Sequence, residues 1–182
     1  MAQDDLVSEI ARLPFPEMLN RTLALEYRFI VSYPRLIDRM VDVEKTVDKE
    51  SEVVKILKQL GQESVYHCDY VMRIIRALGG EPTFNFEIIA DMPDIVHHCE
   101  EQLEREMLTL AIYRRAKSLA EDRIRANVWH RVANRLASLL FRRASQPTTK
   151  GPILELLEKL IAAERSHVEK MDKVIRILQL QR

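Results

Sequence analysis

The chain has 182 residues, with 28 basic and 28 acidic side chains, so its formal net charge is zero and no global field favours nucleic acid. No apolar run reaches the ~18 residues needed to span a membrane; the acidic opening "MAQDDLVSEIARLPFP" lacks the regions of a signal peptide; and Cys68 and Cys99 are too few for a disulfide framework. We expect a soluble cytoplasmic protein with both Cys in core packing, a single domain over 1–182, and long amphipathic helices, since 31% of residues are charged and only four are Gly.

Pro14 and Pro16 precede a periodic run over about 17–45. Leu19, Leu23, Phe29, Ile30, Ile37, Met40 and Val41 define one face at ~100° per residue, and Glu26 is the only acid near its centre. "TVDKE" gives a turn with Asp48 as candidate N-cap. A second run, about 49–78, has Val53, Ile56, Leu57, Leu60, Val71, Ile74, Ile75 and Leu78 on its face. Glu63 and His67 lie on that face, one turn apart, and Gly79-Gly80 stops the helix. "EPTFNFEIIADMP" has little periodicity; "TFNFEII" within it is the only strand candidate.

Pro93 suits the first turn of a third helix, about 93–120. Its face is set by Val96, Cys99, Leu103, Met107 and Leu110, with Glu106 about 50° from the centre; Glu101 and Glu104 point away and read as surface. Residues 121–151 exceed a simple turn. Ile124, Val128, Val132, Leu136, Leu139 and Leu140 form a stripe there, opposite Arg123, Arg125, Arg131, Arg135, Arg142 and Arg143. This reads as an extra amphipathic helix over about 122–146. Such a helix can touch a membrane surface or nucleic acid, but more often packs on the bundle or a second subunit. We therefore expect a homodimer or higher homo-oligomer and no nucleic-acid partner. His97, His98 and His130 have no partner acid on an apolar face and read as surface or interface. After "SQPTTKGP" a fourth helix spans about 152–180, and Glu164 and His167 fall in the middle of its apolar face.

Helices one and two, joined by a short turn, should be antiparallel. The link from Gly79 to Pro93 can cover roughly 45 Å at ~3.3 Å per residue, about the length of a 28-residue helix. It can cross the whole bundle and leave helices two and three parallel. The fold class is therefore all-α: a four-helix bundle with one long crossover, the ferritin-like topology. Each helix offers one inward acid, and helices two and four add an inward His. A lone case would mean little, because a single buried His or Glu is often a satisfied core residue. Four acids converging without a cation would be very costly. In each hairpin the two acids lie about equally far from the turn, so all four can meet at one level. Two divalent ions would neutralise them, and oxygen and nitrogen ligands suit iron or manganese.

These residues resemble the ferritin-like di-iron proteins, the group of bacterioferritin and rubrerythrin. Their signature is a Glu on helix one, Glu-x-x-His on helix two, a Glu on helix three and Glu-x-x-His on helix four. The matches are Glu26 in "LALEYRF", Glu106 in "LEREMLTLAIYRRA", and Glu164 with His167 in "AAERSH". "HCDYVMRIIRALGGEP" resembles the end of the family's second helix. Helix two departs from the pattern: in "ESVYH" Glu63 and His67 are four apart, and Ser64 stands three before His67. Both side chains reach the metals from an ordinary helix, or a one-residue π-bulge restores the family geometry, or His67 stands behind the ligands without touching metal. In bacterioferritins the haem-ligating Met follows the helix-two Glu; Ser64 occupies that place, so no haem is implied.

The resemblance implies two iron ions, with manganese as an alternative, on Glu26, Glu63, His67, Glu106, Glu164 and His167. It makes Glu26 and Glu164 mainly terminal or chelating ligands and Glu63 and Glu106 the bridging candidates. Tyr33 and Tyr113 each stand two turns after an acid, where a Tyr can hydrogen-bond a ligand, supply an electron, or simply fill the core. The leading expectation is a ferroxidase- or peroxidase-like oxidoreductase that oxidises Fe(II) with oxygen or peroxide, for iron handling or peroxide defence. The alternatives are oxygen activation on an organic substrate and a non-catalytic metal-binding interaction module. No four-Cys iron site of the rubredoxin type is present in the sequence, so an electron donor or acceptor would be external.

Overall fold

The computed structural model describes residues 13–84, 94–125 and 151–180. Helix α1 spans Phe15–Asp38, α2 Glu52–Ala77, α3 Ile95–Arg125 and α4 Pro152–Leu180. Among the described residues there is no strand; Thr83 and Phe84 of the strand candidate are irregular, and the rest of it lies outside them. No helix among them is long and apolar enough to cross a membrane.

Local chemistry sets the ends. Pro14 and Pro16 open α1, where a missing N–H is not needed. Ser51, not Asp48, caps α2: its Oγ accepts from Val54 N–H at 3.3 Å. Asp48 is too far upstream and only closes the turn, its carbonyl accepting from Ser51 N–H at 3.0 Å. At the other end Gly79 takes φ +79°, which favours glycine. The N–H groups of Gly79 and Gly80 then bond the carbonyls of Arg76 and Ile75, both at 3.0 Å, satisfying the last turn. A Cβ on Gly80 would lie 2.9 Å from Pro16 Cβ, so glycine also lets this corner pack on the start of α1. Asp94 Oδ1 caps α3 on His97 N–H at 3.0 Å. Helix α3 runs on to Arg125, past the expected end near 120. From residue 126 the expected extra helix, with His130, lies outside the described residues.

No π-bulge separates Glu63 from His67; α2 is regular α-helix throughout. A π-helical turn occurs instead at Arg39–Val43, closing α1 with Glu44 N–H on the Arg39 carbonyl at 2.8 Å.

Cross-contacts give the helix directions. Between α1 and α2, Tyr33 packs by Gly61 while Glu26 meets His67. Between α1 and α3, Tyr33 meets Glu106 and Glu26 meets Tyr113. Between α2 and α4, Glu52 pairs with Lys173 and His67 with Glu164. Between α3 and α4, Glu106 approaches His167 and Lys117 pairs with Glu158. In each pairing one number rises as the other falls, so all four neighbouring pairs are antiparallel. Helices α2 and α3 are therefore parallel. The link that permits this starts along α1: Asn20 Nδ2 donates to the Glu81 carbonyl, Thr83 N–H donates to Asn20 Oδ1, and Phe84 meets Tyr27 edge-on.

The apolar core comes in two blocks. One joins Phe15, Leu19 and Leu23 with Val71, Ile74, Ile112, Ala116 and Leu157. The other, at the opposite end, joins Phe29, Leu36 and Met40 with Leu57, Ile95, Cys99 and Val174. Cys68 and Cys99 are free and buried, as expected, and burial pushes both thiols up to about 12. Three expectations for α3 fail. Met107 is 44% exposed, whereas His98 is buried. The inward face of α3 mixes polar residues, His98, Gln102, Glu106 and Thr109, with apolar ones such as Cys99, Leu110 and Ile112, so apolar spacing misplaced its centre. Glu101 is also not plain surface; it pairs with Arg105 and Arg28.

Candidate metal centre

Between the two apolar blocks lies a polar layer. Glu26 comes from α1, His67 from α2, Glu106 from α3, and Glu164 and His167 from α4, all buried. Each was carried inward because it replaces an apolar residue on its helix's buried stripe. Glu164 sits between the imidazoles: its Oε1 is 2.8 Å from His67 Nδ1 and 3.7 Å from His167 Nδ1. His67 Nδ1 is also 3.3 Å from Glu26 Oε1, and His167 Nδ1 is 3.4 Å from Glu106 Oε2. The rings stack at 4.9 Å between centroids. His67, Glu164 and His167 bring ligand atoms within 4.8 Å of one another, a buried cluster able to hold a metal ion.

The two tyrosines pair crosswise rather than with the acid of their own helix. Tyr33 Oη donates to Glu106 Oε1, and Tyr113 Oη donates to Glu26 Oε1 at 2.8 Å. Each phenol takes one carboxylate oxygen and leaves the other, Oε2, with no hydrogen-bond partner. Both oxygens of Glu164 and the Nδ1 atoms of both His are likewise unpartnered; their neighbours are close but not aligned for hydrogen bonds.

The electrostatics follow from burial and charge. Burial, then the charges of Glu26 and Glu106, hold the Glu164 carboxyl well above the usual carboxylate range. Burial also pushes Glu106 up, but the close approach and charge of His167, with the neighbouring Glu164 and the hydrogen bond from Tyr33, bring it below its ordinary value. For His167, burial favours the neutral ring, but Glu106, Glu26 and Glu63 outweigh it and raise its value. Tyr33 and Tyr113 are pushed up by burial and then by the carboxylates, so both phenols keep their protons.

Glu63 differs from the other expected ligands. Its side chain is 32% exposed at the α2–α4 edge. It reaches the cluster only through the outer nitrogen of His167, with Oε2 2.8 Å from Nε2. Lys170 Nζ donates to both its oxygens at 3.0 and 3.3 Å, and Gln59 Nε2 donates at 2.7 Å. The buried position three before His67 belongs to Ser64, whose Oγ donates to the Leu60 carbonyl. Lys170 and Gln59 were not singled out from the sequence; Lys170 stands one turn after His167, a spacing that places them on one side of α4.

Comparison with family models, curated proteins and solved structures finds no match for this chain. The arrangement of side chains alone bears on function.

Proposed function

We propose that the chain is a ferritin-like oxidoreductase that holds two iron ions, or manganese in their place, and oxidises Fe(II) with oxygen or peroxide. The carrying observation is the set of buried nitrogen and oxygen atoms of this layer left without hydrogen bonds: Glu26 Oε2, Glu106 Oε2, both oxygens of Glu164, and Nδ1 of His67 and His167. Native interiors satisfy nearly all such atoms. A buried carboxylate costs several kcal/mol, against a total stability of about 5–15 kcal/mol. A proton on Glu164 relieves one of three; a pair of divalent cations relieves all. The parallel α2 and α3 support the ferritin-like assignment.

The donors divide into two similar halves. Glu26 with His67 would hold one ion and Glu106 with His167 the other, with Glu164 shared between them. Glu164, rather than Glu63, would be the carboxylate shared by the two ions, because among the described residues it is the one close to Nδ1 of both imidazoles. When bound, such a metal pair supplies the electrons that reduce oxygen or peroxide. Tyr33 and Tyr113 each hold one oxygen of Glu106 and Glu26 and so fix the two carboxylates, and the apolar blocks above and below exclude water.

Anaerobic titration of metal-free protein with Fe(II), followed by oxygen or peroxide, tests this. Two ions bound per chain and their oxidation are expected, and Glu164→Ala with His167→Ala should abolish at least one site. Fewer than two ions would defeat the di-metal reading; two ions without oxidation would favour a non-catalytic binding module. The compact group of His67, Glu164 and His167 favours one other reading, a single ion on two His and a carboxylate, the donor set of oxygenases acting on organic substrates. One ion per chain, unaffected by Glu26→Ala, would establish it.

A further inference from the structure

We propose that Glu63 is a positioning residue rather than a metal ligand: it accepts a hydrogen bond from His167 Nε2 and thereby fixes the ring with its Nδ1 lone pair turned into the cluster. This rests on the metal reading above for its consequence, but not for its geometry. A neutral imidazole carries one N–H, and the hydrogen bond made by one nitrogen decides which is free to bind metal. Glu63 Oε2 lies 2.8 Å from Nε2 on the outer side, while Nδ1 faces Glu106 and Glu164 on the inner side. Lys170 and Gln59 hold the Glu63 carboxylate in place, so the acceptor does not wander.

The same arrangement is absent at the other imidazole. Among the described residues no carboxylate stands behind His67; its ion-pair contacts, to Glu26 and Glu164, are both made through Nδ1. The two halves of the centre are therefore unequal. A carboxylate behind a ligating His raises its basicity and locks its orientation, and losing one typically costs 10–100-fold in metal affinity. The half containing Glu106 and His167 is the tighter, and it fills first.

Two measurements on wild type, Glu63→Ala and Glu63→Gln test this. The first is the two-bond 1H–15N correlation of the histidines in metal-free protein, at about pH 8.5, above the ordinary imidazole range, with His167 assigned from His167→Gln. Wild type should show His167 protonated at Nε2 alone, and Glu63→Ala should shift it toward the other tautomer. A doubly protonated or Nδ1-protonated ring in wild type overturns the proposal. The second is equilibrium Co(II) binding. Glu63→Ala should leave the number of ions unchanged and weaken the tighter site roughly 10–100-fold, while Glu63→Gln, whose amide oxygen still accepts, should recover most of the loss. Loss of one whole ion in both variants would make Glu63 a ligand and overturn the proposal, as would affinities unchanged in Glu63→Ala. If wild type binds no Co(II) but the tautomer responds as described, the metal reading fails and the positioning role stands.

Discussion

At Glu164 burial and the charges of Glu26 and Glu106 all favour the neutral acid, so the folded chain keeps a proton that the unfolded chain releases. The unfolded carboxyl ionises near about pH 4.3, and the folded one only at higher pH. Stability therefore falls as pH rises through that window. His167, also raised, acts in the same sense above about pH 6.5. Glu63 and Glu106 are lowered; their stabilisation is present above the ordinary carboxylate value and lost in acid. Metal-free protein should thus show its highest Tm in mild acid, near about pH 5, with a decline toward about pH 8. Glu164→Gln cannot ionise and should flatten the decline; a Tm that rises over this range would contradict it. At this scale the sequence was legible where an acid interrupts an apolar stripe, as at Glu26, Glu106 and Glu164. It was not legible at Glu63 and Ser64. Counted from His67, one lies about 40° to one side and the other about 60° to the opposite side. Which turns inward depends on how α2 sits against α4, and no local pattern encodes that.

Among the elements, α2 shows what local sequence decides. Its N-terminus is fixed by the residue adjacent to the first turn, so Ser51 caps it and Asp48 does not. Ser51→Ala should cost about 1 kcal/mol, read as a lower urea midpoint with unchanged slope; Asp48→Ala should leave the midpoint unmoved. Gly79-Gly80 stops this helix for two separate reasons, a left-handed turn and close approach to Pro16. Gly80→Ala should destabilise by roughly 1–3 kcal/mol through overpacking, because the obstructing atom is a stiff proline ring. Helix α3 is the contrary case. Its existence was clear from length and composition, but its buried face carries Gln102, Glu106 and Thr109 beside apolar residues. Apolar periodicity then points to Met107, which is exposed.

Across the whole molecule, two apolar blocks flank one polar layer, and the antiparallel neighbours bring a donor from each helix to one level. The parallel course of α2 and α3 was legible because the span between Gly79 and Pro93 is long enough to run the length of a helix. The layer holds buried donors without hydrogen bonds, and its His67, Glu164 and His167 could hold a metal ion. Fe(II) or Mn(II) at about 100 times its Kd should stabilise the chain by roughly 2.7 kcal/mol per independent site. At about 2–4 °C per kcal/mol for a chain of this size, that is a rise in Tm of roughly 5–10 °C, reversed by chelation. The most direct test is anomalous diffraction at the iron edge from crystals loaded with Fe(II) under anaerobic conditions. Two peaks, one on either side of the Glu164 carboxylate and each beside one imidazole Nδ1, are expected. A single peak, peaks away from Glu164, or none would contradict the di-metal centre.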